Sequence, residues 1–159
     1  MVQIKALVTD FDGVHTDNTV LVDEEGREFV SCSRRDGMGI ELLREKGLHL
    51  LILSREANPV VRARARKLRM EVMHHVLDKL PALDDWRREA QLQWEEIAYI
   101  GDDINDIDCL KACGLGAVPA DAHKDAKVYA DLVLTENGGK GAIRELCDYL
   151  LANDLVLTP

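Results

Sequence analysis

Five short apolar runs recur along the chain, at Ile4 to Val8, Leu48 to Leu53, Ile97 to Ile100, Leu115 to Val118 and Leu132 to Leu134. Each is bounded by polar residues or glycine and is too continuous to alternate between a wet and a dry face. Each therefore reads as a strand buried on both sides. Between them lie helix-length segments with apolar residues at helical spacing. Ile40, Leu42 and Leu43 mark one that Gly47 ends; Val60, Val61, Ala65 and Leu68 mark another after Pro59; Leu80, Leu83, Trp86 and Ala90 mark a third. This alternation predicts an α/β fold, a Rossmann-like parallel sheet with helices on both faces joined by right-handed crossovers. Ligands of such sheets bind beyond the carboxyl ends of the strands.

Residues 18–33 break the pattern. Alternating polarity around "DEEG" predicts a β-hairpin that projects from the first crossover. No other insertion is long enough for a cap domain, so the expected site is open unless a neighbouring subunit covers it. A length of 159 residues predicts one domain over 1–159. No apolar run approaches the ~18 residues of a membrane span, and the N-terminus lacks the basic-then-apolar order of a signal peptide, so a cytoplasmic location is expected. The net charge of -9 argues against nucleic acid as a partner, with "RARARKLR" at 62–69 as a local exception. The four cysteines, Cys32, Cys109, Cys113 and Cys147, form no CxxC pair and read as buried thiols in preference to a zinc site.

Three of the strands end in reactive residues. The first runs into "TDFDGVHTD", placing Asp10 and Asp12 one residue apart, where two bare carboxylates on one face repel unless a cation or a proton lies between them. The second, "LHLLILSRE", delivers Ser54, and the third, "IAYIGDDINDIDCL", delivers Asp102, Asp103 and Asp106. A topology that gathers strand ends would collect at least five carboxylates in one crevice, and that many close anions require a cation. Oxygen donors with room for water and a phosphate favour Mg²⁺ over Ca²⁺. "DDINDIDCL" lacks the glycine and closing glutamate of a calcium-binding EF-hand loop. Lys79 in "LDKLPAL" adds a fixed positive charge. Mg²⁺, Lys, Ser and an exposed Asp together suit phosphoryl transfer, where catalysis is mostly positioning and charge stabilisation.

In order, "DFDGVHT", the strand-end Ser54, Lys79 and "GDDIND" resemble the four motifs of the haloacid dehalogenase superfamily of phosphatases. The resemblance implies that Asp10 is the nucleophile, forming an aspartyl phosphate, and that Asp12 is the acid and base that protonates the leaving alkoxide and then activates water. It implies Mg²⁺ held by Asp10, the Asp12 backbone carbonyl and Asp102, with Asp106 and Asp103 behind them orienting metal-bound water or Lys79. Ser54 and Lys79 would hold the phosphoryl oxygens, and Gly13 would let the backbone approach them.

The hairpin, "RDGMGI" at 35–40 and "GGKGAIREL" at 138–146 are similar to the capless branch that dephosphorylates eight- and nine-carbon keto-sugar acids. That branch implies a homotetramer in which neighbours replace the cap. Eight-carbon enzymes (3-deoxy-octulosonate 8-phosphate) carry a glycine-rich basic stretch after the second motif. "SREANPVVRARARKL" instead resembles the nine-carbon pattern (2-keto-3-deoxynononate or N-acetylneuraminate 9-phosphate), which implies substrate binding by Glu56, Arg64 and Lys67, with Arg64 serving a neighbour's site. Arg64 and Lys67 are i,i+3 neighbours able to clamp a carboxylate. "GLGAVPADA", "GGKGAIREL" and "WRREAQLQWEEIAYIGDDIND" also resemble the C-terminal domain of sialate cytidylyltransferases, whose animal forms have a degraded acidic motif and serve assembly. The motifs here are intact, which favours an active phosphatase over an assembly module.

Overall fold

The inner apolar runs line up side by side in the computed structural model, which describes residues 2–156. In chain order the elements are β1 (Ala6–Thr9), β2 (Leu21–Val22), β3 (Glu28–Phe29), α1 (Arg34–Glu45), β4 (His49–Leu53), α2 (Val60–Leu68), β5 (Glu71–Met73), α3 (Lys79–Glu89), β6 (Ile97–Ile100), α4 (Ile107–Ala112), β7 (Leu115–Val118), α5 (Lys124–Val128), β8 (Leu132–Val133) and α6 (Ala142–Ala152). Six strands form one sheet in the order β5-β4-β1-β6-β7-β8, and every pairing in it is parallel. The chain winds outward from β1 through β4 to β5, then returns to the other side of β1 to lay down β6, β7 and β8. This reversal is the Rossmann order, and it opens a crevice between the carboxyl ends of β1 and β6.

Strand side chains alternate between two apolar layers. Leu7, Leu50, Ile52, Ala98 and Ile100 pack with Ile40 and Leu43 of α1, Val61 and Leu68 of α2, and Ile143 and Leu146 of α6. Val8, Leu51, Leu53, Ile97 and Tyr99 pack on the other face with Leu83 and Trp86 of α3, Leu110 of α4 and Ala126 of α5. Both faces are therefore covered, as the continuous apolar runs require. β5 was not expected: "EVM" is too short and too polar to stand out, and it is a strand because it pairs with Leu51 to Leu53.

The hairpin is present but brief, with Leu21 opposite Phe29 and Val22 opposite Glu28. Its turn is held by Asp23, whose Oδ1 accepts from the backbone N–H groups of Glu25 (3.0 Å) and Arg27 (2.9 Å). Among the described residues no cap domain is present, and no helix is long and apolar enough to cross a membrane.

Candidate active site

β1 ends at Thr9 and carries Asp10 into the crevice, where its backbone N–H donates to the Ile100 carbonyl at 2.9 Å. Asp10 Oδ1 accepts from the Phe11 N–H at 2.7 Å and pairs with Lys79 Nζ at 2.9 Å. Lys79 is the first residue of α3, so the helix start aims it inward; its Nζ also donates to Asp106 Oδ1 at 2.7 Å. Asp106 is saturated. Oδ1 further accepts from the Tyr99 hydroxyl at 2.6 Å, and Oδ2 accepts from the backbone N–H groups of Asp102 (2.9 Å) and Asp103 (3.2 Å). Asp106 thus holds the 102–106 turn and Lys79 together, while Asp102 stays free to face Asp10. Each of the three carboxylates offers an oxygen within 4.8 Å of the others.

Glycines make this crowding possible. Gly13 has φ +79°, and a Cβ there would stand 1.9 Å from Asp102 Oδ2. The place a Gly13 side chain would take is filled by the Asp102 carboxylate. A Cβ on Gly101 would likewise meet Asp106 Cβ at 2.4 Å.

One lysine faces three buried carboxylates, and their proton affinities record the shortfall. Burial, then the nearby Asp106, pushes Asp102 up to about 7. Asp10 is held well above the usual carboxylate range by burial and by Asp106, despite Lys79. For Asp106 the Lys79 charge and the hydrogen bonds outweigh burial and hold it below the usual range. Lys79 loses solvation on burial, yet Asp10 and Asp106 keep it above the ordinary lysine value. Without a further cation, Asp10 and Asp102 share a deficit that only a proton can fill. Buried all-oxygen donors of this kind fit a hard divalent ion.

Asp12 is half-buried at the mouth, and its carboxyl is raised by burial, then by Glu56 and Glu28. Ser54 is buried, and its Oγ accepts from the Glu56 N–H at 3.0 Å. Ser54, Glu56 and Asp103 join Asp10, Asp12 and Asp102 around a crevice of about 140 Å³, with Arg55, Asn18 and Asn105 completing the lining. Sequence reasoning missed Arg55, Asn105, Tyr99 and the hairpin residue Glu28, whose Oε2 accepts from Asn58 Nδ2 at 3.2 Å. Only Tyr99 left a signal, as the sole polar tip in "IAYI".

Arg64 and Lys67 are not brought to this crevice. They line a separate cleft of about 310 Å³ between α1 and α2, together with Arg34, Arg44 and Arg69, and Arg64 Nη2 donates to the Ser33 carbonyl at 3.0 Å. Within one chain they cannot stand beside Glu56 as a single clamp. Arg144 pairs with Asp148 at 2.8 Å. His15 is buried: its Nε2 shares a hydrogen bond with Thr9 Oγ1 at 2.8 Å, and burial, then Arg64, pushes its pKa down to about 3. Trp86 packs in the sheet layer, with its Nε1 donating to Glu71 Oε2 at 3.1 Å. Cys109, Cys113 and Cys147 are buried thiols.

The sequence profile described as haloacid dehalogenase-like hydrolase matches residues 48–146. The chain is 38% identical over 149 residues to 3-deoxy-D-manno-octulosonate 8-phosphate phosphatase of Haemophilus influenzae, covering 93% of this chain and 83% of the relative. It is 34% identical over 152 residues to N-acylneuraminate cytidylyltransferase A of Danio rerio, covering 93% of this chain but only 35% of that protein. Among solved structures, a HAD-family hydrolase from Streptomyces avermitilis superposes with a TM-score of 0.92 at 47% identity, over 96% of this chain and 88% of that one. The Moraxella catarrhalis 3-deoxy-D-manno-octulosonate 8-phosphate phosphatase, solved with magnesium ion, phosphate ion and KDO, superposes with a TM-score of 0.92 at 29% identity, over 96% and 89% of the two chains.

Proposed function

Because the chain belongs to the haloacid dehalogenase-like hydrolases, we propose that its crevice hydrolyses the phosphate monoester of a keto-sugar acid with Mg²⁺, and that the acid has nine carbons. The observation that carries the activity is the set of three buried carboxylates around one lysine: Lys79 bridges Asp10 at 2.9 Å and Asp106 at 2.7 Å, with Asp102 beside them. Asp10, the Asp12 carbonyl and Asp102 would hold the Mg²⁺. When bound, it supplies the positive charge that screens phosphoryl oxygens from these carboxylates.

The protein's own groups divide the work as follows. Asp10 Oδ1 is pinned by Phe11 N–H and Lys79, which leaves Oδ2 as the attacking oxygen. Asp12, at the mouth with its proton affinity raised, protonates the leaving alkoxide and then takes a proton from the hydrolytic water. Ser54 and Lys79 steady the phosphoryl oxygens, and Asp103 and Asp106 orient what surrounds them. A crevice of about 140 Å³ is well below the usual ~300–1,000 Å³ of a small-molecule pocket, so only the phosphoryl end enters. The polyol is read at the rim by Glu56.

Arg64 and Lys67 lie in the α1–α2 cleft of the same chain, so their part in substrate binding requires a neighbouring copy, as a homotetramer would provide. The nine-carbon reading is supported by Glu56, Arg64 and Lys67 and by the similarity to a cytidylyltransferase named for N-acylneuraminate. An eight-carbon acid is the second reading, favoured by the relative named for 3-deoxy-D-manno-octulosonate 8-phosphate. A kcat/KM panel of eight- and nine-carbon acid phosphates decides between them: a preference for the eight-carbon substrate overturns the nine-carbon assignment. Asp10→Asn should abolish turnover in a folded protein, and substantial residual activity removes Asp10 as nucleophile.

A further inference from the structure

Counting formal charges around the crevice leaves one group unexplained. Asp10, Asp102 and Asp106 contribute three negative charges when ionised, and Lys79 with a divalent ion contributes three positive ones. The centre is then neutral before substrate arrives. A phosphate monoester brings up to two more negative charges into a mouth that also holds Glu56 and Asp103. Among the lining residues the only other cation is Arg55, directly after Ser54.

Arg55 makes no hydrogen bond or ion pair with any described residue, although acidic side chains line the same crevice. Two of those acids are engaged elsewhere: Glu56 Oε1 accepts from the Asn58 N–H at 2.7 Å, and Asp103 Oδ1 accepts from the Ile104 N–H at 2.7 Å. The backbone that carries Arg55 is nevertheless firmly held. Ser54 N–H donates to the Met73 carbonyl at 2.8 Å, Glu56 N–H to Ser54 Oγ at 3.0 Å, and His75 N–H to the Glu56 carbonyl at 3.0 Å. The hairpin adds a strut through Glu28 and Asn58. A guanidinium on a fixed stem, unpaired, in a crevice that must accept an anion, is a fork of donors shaped for an oxyanion.

We propose that Arg55 is a further catalytic residue of this site, donating from its guanidinium to the non-bridging oxygens of the phosphoryl group. The proposal rests on the phosphatase reading above and deepens it. Arg55 would offset the charge that Mg²⁺ and Lys79, already matched by three carboxylates, leave over, and it would do so for any phosphate monoester whatever its leaving group.

The test uses the full-length, Mg²⁺-loaded protein with Arg55→Ala and Arg55→Lys. The probes are inorganic phosphate, measured by calorimetry, and an aryl phosphate substrate that has no carboxylate. Because Arg55 is exposed and unpaired among the described residues, both variants should melt with the wild type. Arg55→Ala should bind phosphate about 10- to 100-fold more weakly, as expected for a lost charge-assisted hydrogen bond, and Arg55→Lys should recover part of the loss. kcat/KM for the aryl phosphate should fall in the same order.

Unchanged phosphate binding in Arg55→Ala overturns the proposal. So does a loss confined to sugar-acid substrates, which would make Arg55 a reader of the carboxylate. A wild-type protein that binds phosphate but hydrolyses no monoester would refute the phosphatase reading, and Arg55 would still be judged by the calorimetry.

Discussion

Lys79→Met is the sharpest test of how this centre is balanced. The side chain is 1% exposed and its two partners, Asp10 and Asp106, are 8% and 0% exposed, so the pairs at 2.9 and 2.7 Å are screened by almost no water. Removing one member of a buried ion pair costs about 3–5 kcal/mol, because the remaining charge is left uncompensated. Here the loss falls unevenly. Asp106 keeps the Tyr99 hydroxyl and two backbone N–H donors, whereas Asp10 keeps only the Phe11 N–H. The lower end of the range, about 3 kcal/mol, is therefore expected for metal-free protein near pH 8. In a chain of this size that is a drop in Tm of about 6–12 °C. Near pH 5 the orphaned Asp10, already held well above the usual carboxylate range by burial, takes up a proton, and the loss should shrink. Denaturant melts of wild type and variant in chelator at both pH values measure it. Equal stability at pH 8, or the same deficit at both, would refute the claim that Lys79 compensates buried negative charge.

Three further outcomes follow from the same geometry. Asp102 is raised to about 7 from the ordinary 3.8 of an unfolded chain, so the metal-free fold gains stability from this proton below about pH 4 and loses it as the pH rises through about 7. Mg²⁺ needs the deprotonated carboxylates, so the Tm gain on adding it should grow from about pH 5 to about pH 8; a gain independent of pH contradicts the assignment. Buried, neutral His15 has the opposite slope, losing stability as the pH falls below about 6.5, but it acts equally with and without metal and cancels in that difference. Gly13→Ala should abolish the Mg²⁺-induced shift, since the new Cβ would stand 1.9 Å from Asp102 Oδ2; circular dichroism that stays native with an intact shift would show that the loop can yield. Tyr99→Phe removes the 2.6 Å hydrogen bond to Asp106 and should cost about 1.5–3 kcal/mol by equilibrium denaturation, while a neutral effect would mean that Asp106 does not depend on it.

The sheet and its crevice were legible because burial on both faces forces continuous apolar runs, and the alternation of Leu50 and Ile52 against Leu51 and Leu53 between the two layers leaves no other placement for β4. Asp10, Asp12, Ser54, Lys79 and Asp102 follow from strand ends and a helix start, which topology gathers without any side-chain detail. What sequence spacing could not supply is the direction of groups between elements. Arg64 and Lys67 share a face of α2, as their spacing requires, yet that face looks toward α1 and away from the crevice. β5 pairs only because β4 stands beside it, and His15 is buried because the tail "GGKG" closes over its loop, with Gly139 N–H donating to the Val14 carbonyl at 2.9 Å. Such contacts join separate elements, the last of them across more than a hundred residues, and leave no periodicity to read.

The glycines and the carboxylates are two sides of one device. A Cβ at Gly13 or Gly101 would strike Asp102 or Asp106, and one at Gly138 would stand 1.9 Å from the Gly13 carbonyl oxygen. The loop after β1, the turn after β6 and the tail before α6 are therefore pressed together at positions where only a hydrogen atom fits. That compression drives the carboxylates closer than their charges favour, and the sheet layers, with side chains such as Leu7, Ile52 and Ile100 wholly or almost wholly excluded from water, hold it against relaxation. The resulting deficit of positive charge is what gives the site an appetite for a divalent ion. Relaxing the compression should stabilise the metal-free protein and weaken metal binding together, because the same repulsion sets both. A variant such as Asp102→Asn, which near pH 8 removes one charge and keeps the shape, should therefore melt higher than wild type in chelator at that pH and gain no stability from Mg²⁺. A variant that melts lower in chelator would mean that the carboxylate cluster holds the fold together instead of straining it.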